Sequence, residues 1–244
     1  DADGDTVWTR SLGGTRPEYA NRIIQTPDSG FIVAAQAESI DGDVWDHTGD
    51  AWYDDVWIVK LDNNGDTIWT RSYGGTSDDY GYAIDLTTDG GYIVGATTGS
   101  NDSDVWGFKG NWDYWILRLN SIGDTLWTRT YGGSSGDYLE NIISTDDGGF
   151  LAVGWTYSND SDVTGNHGGR DAWALKIDSI GNIQWQNALG GTWWDHAFSA
   201  DQTQDGNYII AGTSESADGD VWGNNGWYDY WVVKLNALTG DTLW

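Results

Sequence analysis

Residues 65–123 read GDTIWTRSYGGTSDDYGYAIDLTTDGGYIVGATTGSNDSDVWGFKGNWDYWILRLNSIG, and the same pattern starts again at Gly123 with GDTLWTRTYGG. The chain holds four such copies, spaced 58 to 61 residues apart, and a fifth begins at residues 240–244. A period of this length indicates a repeat architecture, in which each unit packs on its neighbours. We therefore predict a single domain over residues 1–244, with repeats at about residues 4–64, 65–122, 123–180 and 181–239.

The turn signals inside the unit predict antiparallel strands. Asp89-Gly90-Gly91 stands between the apolar runs 83–86 and 92–94 and is a strong β-hairpin signal. Four short strands per unit, repeated at this period, are typical of a β-propeller. A β-solenoid is the competing architecture, but its rungs are shorter and parallel, whereas hairpin turns require antiparallel pairing. The predicted fold is therefore all-β, a β-propeller of four-stranded antiparallel blades.

The two ends of the chain bear on how such a propeller closes. The strand at residues 5–12 precedes the first hairpin and is predicted to complete the last sheet, which would close a four-bladed ring without open edges. The extra opening motif at residues 240–244 favours the alternative, in which the four repeats are a segment of a larger propeller. Asp1 lies inside a repeat, so we expect a mature or trimmed segment without a signal peptide.

The composition is strongly acidic, with 38 Asp and Glu residues against 11 Lys and Arg and a formal net charge of -27. This charge disfavours nucleic acid and anionic membrane surfaces as partners, because both bind cationic proteins. No apolar run reaches the roughly 18 residues of a membrane span, so no membrane insertion is expected. The lack of cysteine excludes disulfides and thiolate metal sites. So many carboxylates repel one another, which destabilises a fold unless cations offset them.

An Asp-x-Asp pair followed by a later Asp recurs in every repeat and is the first candidate site. Alternate carboxylates on a loop direct several oxygen atoms to one point, as a hard cation such as Ca2+ requires. The alternative is turn chemistry, in which the same side chains accept hydrogen bonds from backbone amides. Structural Ca2+ is the one cofactor predicted. Its four ligand sets would be Asp41, Asp43 and Asp55; Asp102, Asp104 and Asp113; Asp160, Asp162 and Asp171; and Asp218, Asp220 and Asp229.

Tryptophans fall into two groups. Those on strands, such as Trp69 and Trp115, share a fixed position in the unit and are expected in the core. Those on loops could stack on sugar rings beside the carboxylates, or could pack on the loops of neighbouring blades. Trp193 and Trp194 belong to this loop group. The predicted ligand-binding residues are Trp52, Trp106, Trp112, Trp222 and Trp227.

A further acidic residue stands at one position of every repeat, four residues after the Gly-Gly pair, and we call this set the acidic column. A tyrosine or a histidine follows the acid in each copy. We expect a structural role, in which these acids pair with the strand arginines Arg10, Arg71 and Arg129 or cap a turn. Copy four has Asn187 in place of the arginine and keeps the acid. The column is Glu18, Asp79, Asp137 and Asp195.

The motifs GDTxWTRxYGG, DGGYIVxG and SNDSDVxGNHGG resemble the repeats of large secreted proteins of Bacteroidetes-type bacteria, and similar arrays occur in some archaea. The resemblance covers the whole chain and is strongest in repeat three, at residues 158–169. It implies a secreted or surface propeller, in bacteria that often use type IX secretion, and implies no defined reaction. Repeats one, two and four depart from the pattern by placing Trp45, Trp106 and Trp222 after Asp-x-Asp-Val, which indicates an adapted loop face.

The function expected from these features is a non-catalytic binding or display module, secreted or at the cell surface, whose partner is a glycan or another surface protein. A multivalent lectin that uses the loop tryptophans is the first alternative. A polysaccharide hydrolase or lyase is the second, because carboxylate pairs are frequent. Catalysis has little support, since His47, His167 and His196 share no position in the unit and no catalytic triad motif appears.

Overall fold

The computed structural model describes residues 3–244, which fold into β-strands joined by turns and loops. Blade 1 contains β1 (Glu18–Gln25), β2 (Phe31–Ala37), β3 (Asp55–Leu61) and β4 (Thr67–Tyr73). Blade 2 contains β5 (Asp79–Leu86), β6 (Tyr92–Thr98), β7 (Asp113–Leu119) and β8 (Thr125–Tyr131). Blade 3 contains β9 (Asp137–Ser144), β10 (Phe150–Thr156), β11 (Asp171–Ile177) and β12 (Ile183–Leu189). Blade 4 contains β13 (Asp195–Gln202), β14 (Tyr208–Ser214) and β15 (Asp229–Leu235).

Each blade is one antiparallel sheet in which strands adjacent in sequence pair with each other. In blade 2 the predicted hairpin is present: Leu86 pairs with Tyr92, and Gly90 takes a left-handed φ of 84° in the turn. The sheets confirm the predicted all-β fold of antiparallel, propeller-like blades and exclude the parallel rungs of a solenoid. In the described part of the chain, no helix is long and apolar enough to cross a membrane.

Sequence repeats and blades are out of phase by one strand. The GDTxWTR segment that opens repeat two forms β4, where Trp69 pairs with Lys60 at the outer edge of blade 1. The same segment in repeats three and four forms β8 and β12. Repeats two to four therefore each supply the last strand of one blade and the first three strands of the next.

The hydrophobic core lies between neighbouring blades. Val56 and Ile58 of blade 1 form one buried cluster with Ile84, Val94 and Trp115 of blade 2. Two further clusters join blade 2 to blade 3 and blade 3 to blade 4. All the extensive contacts between sheets join sheets that are consecutive in the chain. The third strands are buried along their whole length in blades 1 to 3, which explains their almost continuous apolar sequence.

The prediction that the N-terminal strand completes the last sheet is wrong. Residues 5–12 form no strand, and Trp8 instead donates a hydrogen bond from Nε1 to the Asn63 carbonyl oxygen, at 3.2 Å, in blade 1. Trp127 and Trp185 make the same contact with the blade that follows them. The N-terminal segment therefore lies on blade 1 as the outer strand of a preceding blade would. In blade 4 the fourth-strand position is begun by Thr242, which bridges to Leu235.

Candidate functional site

The Asp-x-Asp loops hold the blades together. Asp102, in the loop between β6 and β7, accepts hydrogen bonds from Thr76, at 2.9 Å from the backbone nitrogen and 2.6 Å from Oγ1. Thr76 follows the Gly-Gly pair at the end of blade 1, so the contact joins two blades. A side chain on Gly75 would overlap Asp102 and Ser100, and glycine is therefore required for this approach. The equivalent contacts are Asp41 with Thr15, Asp160 with Ser134 and Asp218 with Thr192.

The second Asp of each pair contacts the same segment. Asp104 Oδ2 accepts a hydrogen bond from the Gly74 nitrogen at 3.3 Å, and the Asp104 nitrogen donates to the Gly74 carbonyl oxygen at 3.2 Å. The two carboxylates of one Asp-x-Asp pair thus accept hydrogen bonds from backbone N–H groups that follow the last strand of the preceding blade. These N–H groups have no strand partner, and the carboxylates satisfy them. The equivalent residues are Asp43 on Gly13, Asp162 on Gly132 and Asp220 on Gly190.

The third Asp of each predicted calcium set does not lie with the Asp-x-Asp pair of its own set. Asp55 is fully buried at the start of β3, and the acidic neighbours that raise its pKa are Asp79 and Asp104 of the next blade, with Asp54. It therefore belongs to the junction with blade 2, whereas Asp41 and Asp43 belong to the contact with the N-terminal segment. Asp113 and Asp171 are likewise buried, at the second and third blade junctions. Asp229 is half-buried on blade 4, where the described chain has no further junction.

Burial controls the ionisation of these junction carboxyls. Loss of hydration raises the pKa of Asp55 to about 8 and that of Asp113 to about 7, against an ordinary value of 3.8. The backbone N–H of Thr48 donates to Asp55 at 2.6 Å and opposes this rise only partly. Burial also raises the pKa of Asp79 and Asp171 to about 6.

In blades 2 to 4 the acidic column acts as a cap rather than as a partner for the strand arginines. Asp79 Oδ2 accepts hydrogen bonds from the Gly75 nitrogen at 2.8 Å and from Ser100 Oγ at 2.9 Å. Arg10 instead pairs with Asp66 at 2.6 Å. Asp137 and Asp195 repeat the contacts of Asp79 at the next two junctions.

The junctions differ in one position that the sequence patterns did not reveal. Lys109 Nζ lies 2.9 Å from Asp162 Oδ2 at the second junction. At the third junction His167 takes the same place, with Nε2 4.0 Å from Asp220 Oδ2 of the next blade and Nδ1 2.7 Å from Asp171 Oδ2 of its own blade. Each residue lies four positions before the buried Asp of its own blade and donates its backbone N–H to that Asp. Aligning the repeats on this Asp would have shown that the two positions are equivalent.

Several buried carboxylate oxygens have no hydrogen-bond partner. They include Oδ1 of Asp55, Asp79, Asp113, Asp171 and Asp195. Within residues 3–244, however, no group of three or more histidine or carboxylate side chains is arranged to hold a metal ion. The calcium sites stay a prediction.

Four of the five predicted ligand-binding tryptophans lie in solvent. Trp52, Trp106, Trp222 and Trp227 are 75%, 70%, 90% and 85% exposed. Trp45, at the position equivalent to Trp106 and Trp222, is 65% exposed. All five lie in the connection between the second and third strands of their blades, and therefore at the same edge of the array.

Trp112 occupies a different environment. Its ring stacks on Tyr80 at a centroid distance of 5.4 Å and lies 6.0 Å from Tyr138. Tyr138 stacks in turn on Trp155 at 3.9 Å, and Trp155 on His196 at 5.4 Å. This aromatic column crosses two blade junctions, and only the rings that follow the acidic column were visible in the sequence pattern.

The comparisons with known proteins give one relative in sequence and a likeness of fold. No family model matches the chain. It is 27% identical over 198 residues to the regulatory protein FlaEY of Caulobacter vibrioides, and this match covers 75% of the chain and 20% of that protein. Its fold is similar to that of a Bacteroides caccae protein of unknown function, with a TM-score of 0.55 and 13% identity over 97% of this chain and 63% of that one. The chain thus spans about one fifth of the curated relative and less than two thirds of the structural one, and the latter likeness concerns the fold alone.

Proposed function

We propose that the chain is a non-catalytic binding module of the cell exterior, whose ligand surface is the edge that carries the exposed tryptophans. The observation that supports this most directly is the recurrence of Trp45, Trp106 and Trp222 at one repeat position, each at least 65% exposed. Burying an indole stabilises a fold by several kcal/mol, so leaving three in solvent at equivalent places indicates a binding use. The secreted proteins whose repeats this chain resembles support the extracellular location.

A second feature of the same edge supports the proposal. Trp227 has a φ of 53°, which is a rare conformation for a bulky residue, and its side chain is 85% exposed. Strain of this kind persists where the surrounding structure holds it and is concentrated at functional sites. In blade 1, the guanidinium carbon of Arg16 lies 3.9 Å from the centroid of the Trp52 ring, in a cation–π contact.

The chemistry of the edge favours a neutral polysaccharide as the ligand. An aromatic face covers the C–H face of a sugar ring, while carboxylates and amides beside it accept and donate hydrogen bonds to hydroxyl groups. A net charge of -27 repels anionic glycans. Blade 3 has Thr164 where the other blades have tryptophan, and this hydroxyl accepts a hydrogen bond from Gln186 at 2.7 Å. We therefore expect three equivalent sites per chain.

The proposal is tested by affinity electrophoresis in gels that contain single neutral or anionic polysaccharides, followed by titration calorimetry with the oligosaccharide of any polymer that retards the chain. Retardation by a neutral polymer, with a stoichiometry of three, is expected. The triple variant Trp45→Ala, Trp106→Ala, Trp222→Ala should lose the retardation and keep its melting temperature. A chain that no polysaccharide retards, or a triple variant that binds as before, would exclude this surface.

A further inference from the structure

The junction between blades 3 and 4 carries a guanidinium group that no acid neutralises. Arg170 directly precedes β11, and its guanidinium carbon lies 4.8 Å from the centroid of the Trp155 ring and 4.5 Å from that of Trp194. Within the described residues 3–244, the side chain of Arg170 makes no hydrogen bond and no ion pair. Its Nε is buried without a partner, whereas its two Nη atoms are not buried and are free to donate.

Two aromatic rings restrict this guanidinium. Trp155 belongs to the aromatic column, and it stacks on Tyr138 and on His196. Trp194 belongs to the loop that follows blade 3, and a β-carbon on Gly169 would lie only 2.8 Å from its Cδ1, so the close approach of the two loops requires glycine. Because two cation–π contacts already hold Arg170, a ligand that binds it immobilises little further.

The same place is filled differently at the other two junctions. The residue before the buried Asp of each third strand lies beside the residue before the acidic column of the next blade. The three pairs, from the first junction to the third, are Asp54 with Asp78, Trp112 with Gly136, and Arg170 with Trp194. Two of the three junctions therefore form without a cation here, so the packing of blade on blade does not account for Arg170.

An arginine without an acid is unusual in this chain, which has 38 Asp and Glu residues against 11 Lys and Arg. The buried lysines show the ordinary arrangement. Lys60 lies 2.9 Å from Asp28, and Lys176 lies 2.9 Å from Asp147. The counter-ion of Arg170 has to come from outside the described chain. A carboxylate suits it best, since the planar guanidinium donates two parallel hydrogen bonds to the two carboxylate oxygens.

The surroundings of Arg170 limit what can carry that carboxylate. The net charge of -27 repels a ligand in proportion to its own negative charge, which favours a single carboxylate over a phosphate or a polyanion. Trp194 and Tyr157 are each 42% exposed, and Tyr157 meets the Trp155 ring edge-on at 5.5 Å. Exposed rings beside a cation fit a ligand whose carboxylate is attached to a flat body.

We propose that Arg170, between Trp155 and Trp194, binds the carboxylate of a small monocarboxylic acid that contains a ring, with the ring of the ligand against Trp194. Sugar acids and aromatic acids share this chemistry. The site is distinct from the polysaccharide surface proposed above, which uses Trp45, Trp106 and Trp222 of the other three blades. One site per chain is expected, because only the third junction has this pair of residues.

The test is titration calorimetry with glucuronate and with benzoate, in a buffer free of carboxylate and phosphate ions. Glucose and benzamide are the matched neutral ligands. We expect at least one acid to bind with a stoichiometry of one, and at least tenfold more tightly than its neutral analogue. Arg170→Met should weaken this binding by about tenfold or more, because it removes a charge-assisted pair of hydrogen bonds. Methionine keeps an unbranched, polarizable side chain between the two rings.

Two further variants complete the test. Arg22→Met makes the same change in net charge at an exposed residue of β1 and should bind the acid as the unmodified chain does. Arg170→Lys keeps the charge but not the planar fork, so its affinity should fall several-fold while its melting temperature is kept.

The polysaccharide surface supplies an independent readout, since retardation by a neutral polymer should be the same in Arg170→Met as in the unmodified chain. Three results would overturn the proposal: neither acid binds at millimolar concentration, the neutral analogues bind as tightly as the acids, or Arg170→Met binds the acid as before.

Discussion

Asp147 Oδ2 and Lys176 Nζ lie 2.9 Å apart, and they join the hairpin turn of blade 3 to its third strand. The lysine side chain is only 1% exposed, and it also donates to the Ile177 carbonyl oxygen and to Gln184 Oε1. Every blade repeats this pair, which fixes the hairpin turn against the buried strand. The equivalents are Asp28 with Lys60, Asp89 with Arg118 and Asp205 with Lys234.

Asp147→Ala should strongly destabilise the protein, because it leaves the buried ammonium of Lys176 without its counter-charge. We expect a loss of about 3 kcal/mol in the free energy of unfolding, measured by urea denaturation. Asp205→Ala is the control. Its partner Lys234 is 19% exposed and can be hydrated, so the loss should be clearly smaller. Equal losses at the two positions would contradict this account of Lys176.

The stability of the fold should fall as pH rises from about 4 to 8 in the presence of a chelator. Burial raises the folded-state pKa of Asp55 to about 8 and of Asp113 to about 7, while the unfolded values stay near 3.8. A carboxyl with a raised pKa stabilises the folded state fully below its unfolded pKa and loses that contribution as pH rises through its folded pKa. Melting temperatures at half-unit pH steps measure this decline.

One variant and one further carboxyl test which groups cause the pH dependence. Asp55→Asn removes the titrating group and keeps an acceptor for the Thr48 nitrogen, so it should flatten the profile between pH 6 and 8. Hydrogen bonds from Thr26 and Lys60 lower the pKa of Asp28 to about 2, so this group should destabilise the fold only as pH falls below about 4. A stability maximum at pH 8 would contradict the assignment.

Asp102 separates the two interpretations of the acidic loops. If its role is to accept the Thr76 N–H, Asp102→Ala should lower stability by about 1 to 3 kcal/mol equally with Ca2+ and with EDTA. Asp102→Asn, which can still accept this hydrogen bond, should lose much less. If the loops bind Ca2+, the loss should appear only with Ca2+ present, and calcium should remain bound after dialysis.

Replacing a strand tryptophan and replacing a loop tryptophan should change the free energy of unfolding by different amounts. Trp173 is fully buried and Trp222 is 90% exposed. Trp173→Ala should lower the free energy of unfolding by about 3 to 5 kcal/mol, since it opens a cavity at a blade junction. Trp222→Ala should change it by less than about 0.5 kcal/mol. A large loss at Trp222 would mean that the loop tryptophans are structural.

Local patterns predicted the strands well and the junctions poorly. The turn at Asp89-Gly90-Gly91 follows from the backbone preferences of those residues, and the structure confirms it. The grouping of Asp55 with Asp79 and Asp104 depends on how two blades face each other, and spacing within one repeat carries no information about that contact. Trp112 shows the same limit, because its ring is held between Tyr80 and Tyr138 of successive blades.

The one-strand offset between repeat and blade has a consequence for how such a gene changes. Recombination between any two copies at equivalent codons joins the start of one repeat to the end of another, and every blade in the product still receives its outer strand from the copy that follows. Whole units can therefore be gained or lost without breaking a sheet. The number of copies can therefore change while each blade keeps its strands and its contacts with its neighbours.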